Sequence, residues 1–97
     1  MFNKICGKTV SVKSLYIDVT DDIVTVKMTY TVEEGEPFVV EFWNVSSLNI
    51  QDMSFPFEIS ALEIVDNSQR GYQKDKRYLV NDYEDGCLSF WCEKIIM

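Results

Sequence analysis

Apolar and polar positions alternate along most of this chain, the pattern of β-strands with one face in a core and the other in water. The clearest run is Ile23–Val32. There Val24, Val26, Met28, Tyr30 and Val32 fall on one face, and Thr25, Lys27, Thr29 and Thr31 on the other. Ser14–Val19 sets Leu15, Ile17 and Val19 against Tyr16 and Asp18, with Thr20, Asp21 and Asp22 as the turn between the two strands. Glu33–Pro37 closes a second hairpin, since Gly35 can take a positive φ and Pro37 can begin a strand but not continue one.

Beyond this point the pattern predicts strands over Phe38–Val45, Ser47–Met53, Ser60–Asp66, Arg77–Tyr83 and Cys87–Ile95. Pro56 interrupts pairing, and Asn67–Lys76 is polar, contains Gly71 and has no helical spacing of apolar residues, so it reads as a loop. Asp85-Gly86 between alternating runs is a strong hairpin signal. With about seven short strands and closely spaced turns, the expected fold is all-β, an antiparallel sandwich or barrel forming a single domain over residues 1–97.

The composition agrees with a packed core. Hydrophobic residues make up 46% of the 97 positions, and only four Gly and two Pro interrupt them. A chain of this mass buries about 65% of its unfolded surface, enough for a core without disulfide or metal staples.

Charge and missing residue types narrow the function. A net charge of −7 repels phosphate backbones and anionic lipid, so neither nucleic acid nor membrane is an expected partner. No apolar run approaches the roughly 18 residues of a membrane span, and the first ten residues lack a signal-peptide pattern, so the expected location is cytoplasmic. With no histidine, serine and cysteine triads and the usual zinc sites are excluded. Every glycine is isolated, which leaves no phosphate-cradling loop. Cys6, Cys87 and Cys92 form no CxxC motif and are expected to be free thiols in a reducing compartment. No cofactor or metal is expected.

Three features carry possible function. In Phe38–Val45 the apolar set is Phe38, Val40 and Phe42, which leaves Trp43 with Val39 and Glu41; in Cys87–Ile95 it is Leu88, Phe90 and Cys92, which leaves Trp91 with Cys87, Ser89 and Glu93. Both tryptophans are thus expected on outer faces. The candidate partner-binding set is Trp43, Trp91, Glu41 and Glu93, with Tyr16 as a neighbour. Residues 70–77 carry a local balance of +3, from Arg70, Lys74, Lys76 and Arg77 against Asp75, and could dock an acidic partner or a second copy of the chain as a homodimer. Acidic residues cluster at Asp82, Glu84 and Asp85 and at Asp21 and Asp22, without the spacing of an EF-hand.

Arg77–Glu93 (RYLVNDYEDGCLSFWCE), taken with Phe42–Val45 (FWNV) and Leu62–Ile64 (LEI), resembles the small acidic β-proteins among bacterial polymorphic-toxin immunity proteins. The resemblance covers the last half of the chain and one earlier strand, and includes no catalytic signature. It implies a stoichiometric inhibitor that binds a toxin domain, a basic one by charge complementarity, and performs no catalysis. Two other function classes stay open. One is a small-ligand or carbohydrate-binding module using Trp43 and Trp91 as stacking platforms. The other is a carboxylate hydrolase using Glu41 and Glu93, which would need their carboxyls about 5 to 9 Å apart across a cleft.

Overall fold

In a computed structural model of the chain, the described residues are 9–32, 35–51, 57–59, 62–67, 76–82 and 88–97. They contain nine strands and no α-helix: β1 Val10–Thr20, β2 Ile23–Val32, β3 Phe38–Trp43, β4 Ser46–Ile50, β5 Phe57–Ile59, β6 Leu62–Asp66, β7 Tyr78–Asp82, β8 Leu88–Cys92 and β9 Lys94–Ile96. All pairings are antiparallel. One sheet has the order β5-β1-β2-β3-β9 and the other β4-β8-β7-β6. The all-β antiparallel expectation therefore holds, with more strands than the pattern counted. The first strand starts earlier, at Val10; β5 lies between the runs that the alternation predicts; and the run expected over Cys87–Ile95 is two strands belonging to different sheets.

The core is the space between the sheets. Val26, Met28, Tyr30, Val40 and Phe42 of the first sheet and Leu62, Val80, Leu88, Phe90 and Cys92 of the second are buried, as the period-two pattern requires. Phe42 meets Phe90 edge to face, with ring centroids 4.9 Å apart and planes at 72°, so an aromatic pair bridges the two layers.

The Asp21-Asp22 turn is as expected. Both residues have positive φ, 52° and 64°, and Thr20 pairs with Ile23 across them, the geometry of a two-residue type I′ hairpin. Lys13 is the extra residue of a bulge in β1: Val12 pairs with Tyr30 and Ser14 with Thr29. After the bulge, Leu15, Ile17 and Val19 lie on the core side opposite Met28, Val26 and Val24. Ile17 and Val19 nevertheless remain exposed, although Val26, the partner of Ile17 on β2, is fully buried.

Two chain segments pass from one sheet to the other at the same place. Glu41, Phe42 and Trp43 pair with Ile96, Ile95 and Lys94 in the first sheet, and Ser46 pairs with Trp91 in the second. The register is continuous, so Asn44 stands opposite Glu93 and Val45 opposite Cys92. Each strand inserts one residue here, which preserves the register and reverses which side chains face inward. The Glu93 N–H donates to the Trp43 carbonyl at 3.0 Å and the Val45 N–H to the Val24 carbonyl at 2.8 Å. Asn44 takes the bend at φ 58°, a conformation asparagine tolerates better than most residues.

Candidate functional site

The outer face of the five-stranded sheet brings part of the expected set together. Cross-strand register places Tyr16, Lys27, Glu41 and Ile96 in one row and Asp18, Thr25, Trp43 and Lys94 in the next. Tyr16 and Ile96 are exposed, and Trp43 and Glu41 are half-buried. The Lys94 ammonium sits 4.9 Å from the centroid of the Trp43 ring, a cation–π contact at the sheet surface. Val39, also exposed, lies two residues before Glu41 on the same face. Between the rows, Tyr16, Asp18, Thr25, Lys27 and Glu41 line an open depression of about 320 Å³.

Trp43 and Trp91 are both on outer faces, but of different sheets. Trp91 is half-buried between Leu79 and Ser46 in the register of the second sheet, with Val65 beyond Leu79. Glu93 does not share a strand with Trp91, because β8 ends at Cys92. It occupies the bend between the sheets, where its Oε1 accepts a hydrogen bond from Asn44 Nδ2 at 3.1 Å. Glu41 stays on the outer face of β3. Of the five expected residues, Tyr16, Glu41 and Trp43 therefore form one surface, Trp91 lies on another, and Glu93 holds the bend between the two sheets.

Lys27, Lys94 and Ile96 complete this face, and the alternation along the chain does not point to them as contacts. Continuing the alternation from Leu88, Phe90 and Cys92 would send Lys94 inward and Ile95 outward, whereas Ile95 packs against the core opposite Phe42. The signal available in the sequence was the Glu93-Lys94 pair, since burying a lysine in a small core is too costly for the alternation to run on through it.

The remaining candidates fall elsewhere. Asp82 is 1% exposed on the core side of β7, opposite Leu62, so it belongs to the interior and not to a wet hairpin tip; Tyr78 and Val80 set that parity. Glu84 and Asp85 lie outside the described residues, as do Arg70, Lys74 and Asp75 of the basic stretch. Lys76 is half-buried. Arg77 joins the ends of β6 and β7: its Nη2 is 3.4 Å from Asp66 Oδ2, its guanidinium lies 4.9 Å from the Tyr78 ring centroid, and its carbonyl accepts the Asn67 N–H at 2.7 Å. The bond to Asp66 holds the guanidinium in its charged form. Cys92 is a buried free thiol, while Cys6 and Cys87 lie outside the described residues. Among the described residues, no three His, Cys, Asp or Glu side chains are grouped to hold a metal ion, and no helix is long and apolar enough to cross a membrane.

No family model, curated protein or solved structure matches this chain.

Proposed function

We propose that the chain is a non-enzymatic cytoplasmic binding protein that neutralises a toxin domain by holding it against the outer face of the five-stranded sheet. The observation that carries this reading is the Trp43–Lys94 stack with Glu41 beside it and exposed Tyr16, Val39 and Ile96 around it. A large aromatic fixed by a neighbouring cation on a hydrogen-bonded sheet loses little freedom on binding, and such residues dominate protein interfaces. The net charge of −7 favours rapid encounter with a basic partner and disfavours nucleic acid. The resemblance of Arg77–Glu93 to toxin-immunity proteins supports the same class.

The test is genetic first. Deleting the gene should sensitise cells to a toxin encoded beside it, and restoring the wild-type chain should protect them, whereas a folded Trp43→Ala variant should protect poorly. Unchanged susceptibility to every neighbouring toxin would overturn the reading. The depression lined by Asp18, Thr25, Lys27 and Glu41 beside Tyr16 supports a second reading, binding of a small polar ligand such as a sugar. Calorimetric titration with simple sugars separates the two, since a toxin-neutralising face gives no heat with them.

A further inference from the structure

Among the described residues, β1 is paired on both sides only at its start. On one side it follows β2 throughout, while on the other β5 reaches only Val10–Val12. After the Lys13 bulge, no strand among the described residues pairs with the side of residues 14–20 that faces away from β2. Edge strands are normally blunted by proline or lysine. This stretch has neither, and its Tyr16, Ile17 and Val19 are 62%, 44% and 65% exposed.

The turn fixes which backbone groups face outward. Thr20 and Ile23 close a two-residue type I′ turn and are therefore a hydrogen-bonded pair. Bonding to β2 then falls on Thr20, Asp18, Tyr16 and Ser14, and the N–H and C=O groups of Leu15, Ile17 and Val19 point away from β2. The bond from Val45 N–H to the Val24 carbonyl shows the same phase, because it directs Val24 away from β1.

We propose that this edge pairs with the same edge of a second copy of the chain, antiparallel about a two-fold axis at Ile17. In that register Ile17 meets the partner's Ile17 and Leu15 meets the partner's Val19, so all three outward-facing residues exchange backbone hydrogen bonds. The exposed side chains of Ile17 and Val19 and the partly buried Leu15 are brought together on the core side of a sheet that continues across both copies. On the outer side Tyr16 meets the partner's Asp18, a phenol donor opposite a carboxylate acceptor, and Ser14 meets the partner's Thr20. At each end Lys13 comes beside the partner's Asp21, and opposite charges facing across strands are favourable. An axis at Leu15 would run the partner's Ile17 into the Lys13 bulge and its Asp18 toward the place of β5. An axis at Val19 would run Ile17 into the Asp21-Asp22 turn. The Ile17 axis alone keeps the whole edge paired and sets unlike charges together. This association needs no toxin and stands independently of the proposed function.

Sedimentation equilibrium of the full chain in reducing buffer tests it. The wild type should reach twice the chain mass as concentration rises. Ile17→Pro should remain a monomer with unchanged far-UV circular dichroism, because proline there removes an outward N–H and leaves the β2 ladder intact. Lys13→Asp should weaken the dimer by about tenfold, and adding Asp21→Lys to it should restore association. The charge exchange decides the matter even if Ile17→Pro does not fold. A wild type that stays monomeric at every concentration, a folded Ile17→Pro that still dimerises, or a charge exchange without rescue would each overturn the proposal.

Discussion

Asn44 and Glu93 face each other across the bend where two strands leave one sheet for the other, with Asn44 Nδ2 donating to Glu93 Oε1 at 3.1 Å. Both strands insert one residue at this position, so the ladder keeps its register while the inward and outward sets exchange. A bulge on one strand alone would have slipped the register instead. Asn44 thus has two roles, a left-handed backbone at φ 58° and a side-chain bond to the opposing strand. Asn44→Ala loses the bond and places an alanine in a strained conformation, and should destabilise the protein by about 1–3 kcal/mol. Asn44→Gly loses the bond but relaxes the backbone, and should fall within about 1 kcal/mol of wild type. Chemical denaturation of the pair checks the ranking; an alanine variant as stable as the glycine variant would remove the backbone argument.

The two sides of β3 should respond differently to truncation. Phe42 is fully buried against Phe90, and Phe42→Ala should cost about 3–5 kcal/mol. Trp43 is half-buried on the outer face, and Trp43→Ala should cost the free protein only about 1–2 kcal/mol, mostly lost surface packing and the contact with Lys94. Urea midpoints at unchanged slope measure both. Equal losses would mean that Trp43 is a structural residue and not a poised contact.

The type I′ turn leaves room for improvement. Asp21 and Asp22 both hold positive φ, which glycine adopts without strain and aspartate does not. Asp22→Gly should raise stability by up to about 1 kcal/mol, read as a higher urea midpoint. A lower midpoint would show that the aspartate side chain stabilises the turn by more than its backbone strain costs.

Stability should fall in alkali, partly through one thiol. Burial pushes the Cys92 thiol from 9.0 up to about 12, so the folded chain keeps a proton that the unfolded chain gives up. The stabilisation is full below about pH 9 and is lost as pH rises toward 12. Tyr30, its buried phenol also pushed up from 10.0, adds the same slope at the upper end. Cys92→Val should flatten the decline just above pH 9, as followed by urea midpoints against pH; a slope unchanged by the substitution would assign it elsewhere.

How much of this could be read from the chain differs from element to element. The inward set of β2 and a turn at Asp21 and Asp22 follow from local chemistry, because side-chain direction in a strand has period two and aspartate favours turns, while the turn's type rests on the positive φ of both residues. The outward placement of Trp43 follows from the same parity, counted from Phe38, Val40 and Phe42. That reasoning holds only within one uninterrupted ladder. At Asn44 and Glu93 the parity reverses, for a reason found in neither strand alone: the two bend together, and each supplies the other's hydrogen bond. Lys94 therefore emerges over Trp43 and Glu93 is drawn into the bend, although counting along Cys87–Ile95 gives different positions for both. Tertiary structure also decided that Asp82 is buried, since its parity mattered only once Leu62 was seen opposite it. The exposure of Ile17 and Val19 was likewise beyond the sequence. Their alternation marks them as core-facing, yet Ile17 is exposed while Val26 beside it on β2 is fully buried, so place within the sheet and not parity decides what is covered. The sequence alone thus determined the inward faces of β2 and β3, a local steric matter; the structure decided where β5 and β9 form and which faces meet, because that depends on strands far apart in the chain.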